Sequence, residues 1–114
     1  MDDPKDLLPL APAAFHILIS LADRDRHGYA ILQEVAERTG GEFSLGPATL
    51  YTNIKRLVGN GLIEERSSRL AADDERRRYY RLTKFGRQVA FAELDRLQVD
   101  VRKAKVLLAK GAAS

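Results

Sequence analysis

The chain has no cysteine and no tryptophan, and two of its 114 residues are histidine. Without cysteine, disulfides and thiolate metal sites are excluded, and two histidines alone fall short of the four ligands of a structural zinc site. No nucleophile–base pair and no cluster of carboxylates suggests an enzyme, and no cofactor is expected. Long apolar runs are missing too. The longest near the start, "FHILISLA" from Phe15 to Ala22, is far shorter than the roughly 20 residues that a membrane-spanning helix needs. The opening "MDDPKD" is acidic, whereas a signal peptide opens on positive charge. A soluble, cytoplasmic protein with no membrane contact is the expectation.

What is present fits one domain. Hydrophobic residues form 45% of the chain and aromatics only 7%, enough for a modest core with apolar surface left over for a partner chain. The net charge of +3 is unevenly spread. Residues 1–54 carry 4 basic and 8 acidic side chains, whereas residues 55–87 carry 10 basic and 5 acidic. Such a basic block suits a face that meets a polyanion; an ordinary solvated surface is the alternative.

Pro4 and Pro9 mark residues 1–11 as an irregular arm. From Pro12 to Asp23 the pattern is helical and apolar almost all round, apart from His16 and Ser20, as in a helix buried on more than one side. A second helix, about Gly28 to Arg38, sets Tyr29, Leu32, Val35 and Ala36 on one face and ends at Gly40-Gly41. His27 stands where a helix N-terminus is packed or capped. "EFSL", with Phe43 and Leu45 alternating, reads as a brief strand. The third helix starts at Pro47, buries Leu50, Ile54, Leu57 and Val58, and stops at Gly59-Asn60-Gly61. Leu62-Ile63 and Tyr79–Thr83 then form a hairpin around a long polar loop, with Tyr80 and Leu82 on one face.

Thr83 is placed to cap a last helix from Lys84 to about Lys110, leaving residues 111–114 as a frayed tail. Along that helix Ala90, Leu94, Leu97, Val101, Ala104 and Leu108 follow heptad spacing, with charged Glu93, Asp95, Arg96, Asp100, Arg102 and Lys103 off the seam. A helix about 40 Å long cannot hide this seam against so small a domain. A second copy of the chain is the expected cover, which makes the protein a homodimer.

Three helices and a hairpin over residues 12–83 make a winged helix-turn-helix, so the fold class is mainly α with a small β-hairpin and a long C-terminal dimerisation helix. In that arrangement the third helix enters the major groove of double-stranded DNA and the hairpin, or wing, reaches the flanking backbone. Thr49, Thr52 and Asn53 are short donors and acceptors for base edges or phosphates, Tyr51 offers a hydroxyl, and Lys55 and Arg56 supply charge. The free N–H groups at Gly46-Pro47 suit a phosphate. In the wing, Arg77 and Arg78 of the run Arg76–Arg78 are the expected backbone contacts, with Arg66 and Arg69 on the other arm and acidic "DDE" beside the run. A winged-helix module that binds protein is the rival reading, and its binding would lack the steep salt dependence of a DNA complex.

"HGYAILQEV", "ATLYTNIKRLVGNGLIEE" and "RRRYYRLTKFGR" resemble the PadR family of bacterial transcriptional regulators, across residues 12 to 110. His27-Gly28-Tyr29, Thr49-Leu50-Tyr51 and Arg78-Tyr79-Tyr80-Arg81-Leu82-Thr83 carry the resemblance in that order. It implies a dimeric repressor that binds a palindromic operator and leaves it on binding a small aromatic effector. The single C-terminal helix is similar to that of the short-tailed subgroup, in which this helix and helix one build the dimer. Relatives there stack planar ligands on tryptophan; this chain has none, and Leu97 continues the seam where such a contact would fall. The effector-binding residues are left unassigned.

Overall fold

The computed structural model describes residues 3–67 and 78–113. A short 3-10 turn, Pro4–Leu7, precedes helices α1 (Pro12–Ser20), α2 (Gly28–Arg38) and α3 (Pro47–Gly59), with strand β1 (Arg26–His27) between the first two. Strands β2 (Ile63–Ser67) and β3 (Arg78–Leu82) follow, then helix α4 (Lys84–Ala113). The mainly helical fold and the β2–β3 hairpin are as expected. Among the described residues no helix is long and apolar enough to cross a membrane.

The core is built where the helices and the sheet meet. Ile17 and Leu18 of α1, Ile31 and Val35 of α2, and Leu50, Ile54 and Leu57 of α3 are buried together with Leu62, Ile63, Tyr80, Leu82 and Val89. Each such aliphatic side chain contributes roughly 1.5–3 kcal/mol by leaving water. The stop after α3 works as glycine permits. Gly61 takes φ +75°, which lets the Leu62 amide donate to the Leu57 carbonyl at 2.9 Å and closes the helix end. Thr83 caps α4 as expected, its hydroxyl accepting from the Gly86 amide at 2.9 Å.

Val58, expected in the core with the rest of its helix face, is 39% exposed, and α4 runs on to Ala113 rather than Lys110. Four further expectations give way. Helix α1 ends at Ser20 rather than Asp23, where the Ser20 hydroxyl bonds back to the Ile17 carbonyl at 2.6 Å. Helix α2 buries Val35 as expected but is otherwise turned from the expected face. Gly28, Ile31 and Val35 point inward, and Tyr29, expected in the core, is 64% exposed. The "EFSL" stretch forms no strand. Its Phe43 amide donates to the Thr39 hydroxyl at 3.1 Å, and that hydroxyl donates to the Phe43 carbonyl at 3.1 Å. The place beside β3 is taken by β1, with Arg26 opposite Tyr80 and His27 opposite Tyr79, so the sheet runs β1-β3-β2. Two residues show no alternation, and nothing in the sequence pattern marks them.

The fourth concerns α4. Glu93, expected among the solvated charges, is 2% exposed. Its carboxylate accepts the Leu10 amide at 2.7 Å and is held by the Arg96 guanidinium, so it ties the N-terminal arm to α4. Arg96 and the amide both favour the charged form and hold this carboxyl below its ordinary range. Ala90, expected on the shared seam, is buried in its own domain. From Leu94 onward the seam is open: Leu94 is 39% exposed, Val101 50% and Leu108 74%, and Leu97 and Ala104 are exposed with them.

Candidate nucleic-acid interface

Helix α3 presents two unlike faces because Leu50, Ile54 and Leu57 repeat at helical spacing and anchor one of them in the core. Thr49, Tyr51, Thr52, Lys55 and Arg56 lie on the exposed face, and Asn53 is half-buried at its edge. Lys55 and Arg56 make no ion pair among the described residues, so their charge is available to an outside anion. At the start of the helix, Gly46 caps without a side-chain hydrogen bond. The Ala48 and Thr49 amides therefore have no partner within the first turn.

Two of the expected contacts are constrained by their neighbours. Asn53 donates through Nδ2 to the Thr49 carbonyl at 2.8 Å, so its amide oxygen is the atom left to face outward. The Tyr51 ring lies over α2: a Cβ added at Gly28 would come within 2.6 Å of the Tyr51 hydroxyl and 3.4 Å of Leu50. Glycine at position 28 is thus what lets α3 seat its tyrosine against the start of α2. His27 caps that same start, its Nδ1 accepting from the Ala30 amide at 3.2 Å, and meets Tyr79 edge-on at 5.6 Å. Tyr80 is buried as expected. Burial raises its phenol above the usual range, and the charge of Glu65 and the nearby Tyr51 add to the effect.

The wing adds charge of both signs. Register sets Glu64 opposite Arg81 and Ser67 opposite Arg78. Arg81 pairs with Glu64, Arg78 with Glu65 at 3.4 Å, and Arg66 with Asp25 at 3.1 Å. The sequence reading missed these carboxylates; opposite charges across an expected hairpin were the available signal. Arg77, with Arg69 and Arg76, lies outside the described residues. His16 meets residues of its own domain. Arg38 reaches its Nδ1 at 3.1 Å and Phe43 stacks on it at 4.4 Å between ring centres; burial, then Arg38, lowers its pKa. Among the described residues no three potential metal ligands converge.

This arrangement recurs in known proteins. The sequence profile of the Transcriptional regulator PadR-like family matches residues 17–92. The transcriptional regulator Rv3488 of Mycobacterium tuberculosis is 38% identical over 77 residues, covering 68% of this chain and 67% of that protein. Another relative matches over 64% of its own length, just under two thirds. A PadR family transcription regulator from Clostridium difficile R20291 superposes with a TM-score of 0.75 at 28% identity, over 86% of this chain and 99% of that one. Bacillus subtilis PadR, solved in complex with operator DNA, superposes with a TM-score of 0.66 at 27% identity, over 75% of this chain and 48% of the other. The fold, the placement of α3 beside the wing and the match over most of the sequence lead to one assignment: the chain belongs to the PadR-like family of transcriptional regulators.

Proposed function

We propose that this regulator is a homodimeric repressor that binds a palindromic operator in the cytoplasm through α3 and leaves it when a small aromatic effector binds. The observation that carries the reading is the outer face of α3. Thr49, Thr52, Lys55 and Arg56 are exposed beside the wing, and the helix is fixed from behind by Leu50, Ile54 and Leu57. The operator complex of Bacillus subtilis PadR supports DNA as the partner of the same architecture. The open seam of α4 supports the dimer, since leaving Val101 and Leu108 in water forgoes hydrophobic stabilisation that a second seam would recover. Two α3 helices related by a two-fold would address half-sites about 34 Å apart. The effector part of the reading rests on the family resemblance.

Within α3 the roles divide by chemistry. Lys55 and Arg56 neutralise phosphates and set affinity. Thr49, Thr52 and the outward oxygen of Asn53 are short enough to distinguish base edges. Selection of bound duplexes from a random pool, followed by sequencing, is expected to return an inverted repeat. Thr52→Ala should then relax preference at one position of each half-site. Arg56→Ala should weaken all duplexes alike and reduce the salt slope by about 0.9. Recovery of no preferred sequence would remove the operator reading.

A further inference from the structure

Each of Arg66, Arg78 and Arg81 has a carboxylate partner, and the pairs lie on two faces of the sheet. Along β3, Tyr80 and Leu82 point into the core while Arg81 points out. Alternation puts Arg78 on the Tyr80 side and, through the register of Glu65 with Tyr80, Glu65 as well. Arg81 and Glu64 share the opposite side. The Arg78–Glu65 pair therefore stands on the face that Tyr80 shares with Tyr51 of α3, and both Tyr51 and Glu65 bear on the Tyr80 phenol. It is also the looser pair, at 3.4 Å with the arginine side chain 65% exposed.

We propose that Glu65 sets the strength of DNA binding: it holds Arg78 in the free protein and is displaced as the partner of Arg78 by a phosphate of the bound duplex. The inference rests on the DNA-binding reading of α3. Once displaced, Glu65 is left as an unpaired anion near the phosphate backbone. It recruits a cation or repels the duplex, and either effect offsets part of the counterion release that Arg78 provides. Glu65 thus limits affinity, and a chain without its charge would grip any duplex more tightly. The pair is solvent-exposed and so is weakly held, which makes the exchange of partners easy. Glu64 is the internal comparison: it has the same chemistry one residue away, on the other side of the sheet, bound to Arg81.

The test uses the full chain and a fluorescent random-sequence duplex of about 30 base pairs, long enough for two half-sites one turn apart, titrated across a salt series. Glu65→Gln is expected to tighten binding roughly 3- to 10-fold near 50 mM salt and to steepen the log–log salt slope by up to about 0.9. Arg78→Ala is expected to weaken binding, and Glu65→Gln added to it is expected to have little further effect. Glu64→Gln should leave affinity within about twofold, because its carboxylate lies on the other side of the sheet, beside Arg81 rather than Arg78. Equal tightening by Glu64→Gln and Glu65→Gln would reduce the effect to net charge and overturn the proposal, as would an unchanged Glu65→Gln. A wild-type chain that binds no duplex would remove the DNA reading and this inference with it. A wild-type chain that binds, with an indifferent Glu65→Gln, would remove the inference alone. Unfolding midpoints matching wild type would show that the variants are folded.

Discussion

A methyl group added at Gly86 would lie 2.0 Å from the backbone oxygen of Leu62, whereas one at Gly28 would meet the end of the Tyr51 side chain. The Leu62 oxygen belongs to the turn that closes α3, and it accepts from the Thr83 amide at 3.1 Å. It cannot move without separating α4 from that turn. Gly86→Ala should therefore cost about 3 kcal/mol of stability. Tyr51 is 52% exposed and can swing outward, so Gly28→Ala should cost under about 1 kcal/mol. It should nevertheless weaken DNA binding several-fold, as Tyr51→Phe would if the hydroxyl meets a phosphate. Denaturant unfolding and binding titrations on both variants separate the two effects; equal instability would mean that Tyr51 is locked in place. Both glycines lie in stretches that carry the family resemblance, Gly28 in "HGYAILQEV" and Gly86 in "RRRYYRLTKFGR". Their purpose was not visible, because the atoms that exclude a Cβ come from segments 23–24 residues away.

At the scale of elements, punctuation decided what could be read. Helices α2 and α3 begin and end where caps, Pro47 and the glycine pairs place them, since those residues act locally. Strand β1 and the end of α1 depend on partners across the fold, and there the reading slipped. Glu93 belongs to the same class. Its i+3 neighbour Arg96 was apparent, but its bond to Leu10, 83 residues distant, was not. That bond joins the arm to α4 and makes a prediction in pH. The Arg96 hydrogen bond, and then the Leu10 amide, depress the Glu93 pKa from its ordinary 4.5. The folded state thus favours the ionised form. Its contribution is whole above about pH 4.5 and is lost as the pH falls through the lower, folded-state value. Glu93→Gln should keep an acceptor for Leu10 but flatten that acid limb in thermal unfolding. Glu93→Ala should lose about 1–3 kcal/mol at neutral pH by leaving buried donors without a partner. An acid limb unchanged in Glu93→Gln would count against the assignment.

The whole molecule extends 65 Å along its longest axis, because α4 runs on past the domain that its first turns cover. The heptad seam was legible from spacing alone; where it stops belonging to the domain and starts facing outward was not. Val89, Ala90 and Glu93 are buried against the chain's own core, Phe91 off the seam is exposed, and along the seam exposure begins at Leu94. Placing a charge at the centre of the open stretch, as in Val101→Asp, should dissociate the proposed dimer. Sedimentation is expected to give a monomer at micromolar concentration, with operator affinity reduced by at least tenfold through loss of the second half-site. A Val101→Asp variant that stays dimeric would place the contact elsewhere.

The switch from buried to open between Glu93 and Leu94 also makes α4 an angular gauge. In the proposed dimer its first turns are fixed to one reading head, and its later turns would set the bearing of the other. Each residue of helix advances the bearing by about 100° and the separation by about 1.5 Å. A single deletion at Arg102 or Lys103, which lie beyond the Glu93–Arg96–Asp100 pairs, would therefore leave those contacts in place and, in the proposed dimer, point the two α3 helices in incompatible directions. Removal of seven residues would restore the bearing to within about 20°. In the proposed dimer the spacing of the two half-sites is thus set by the phase of α4.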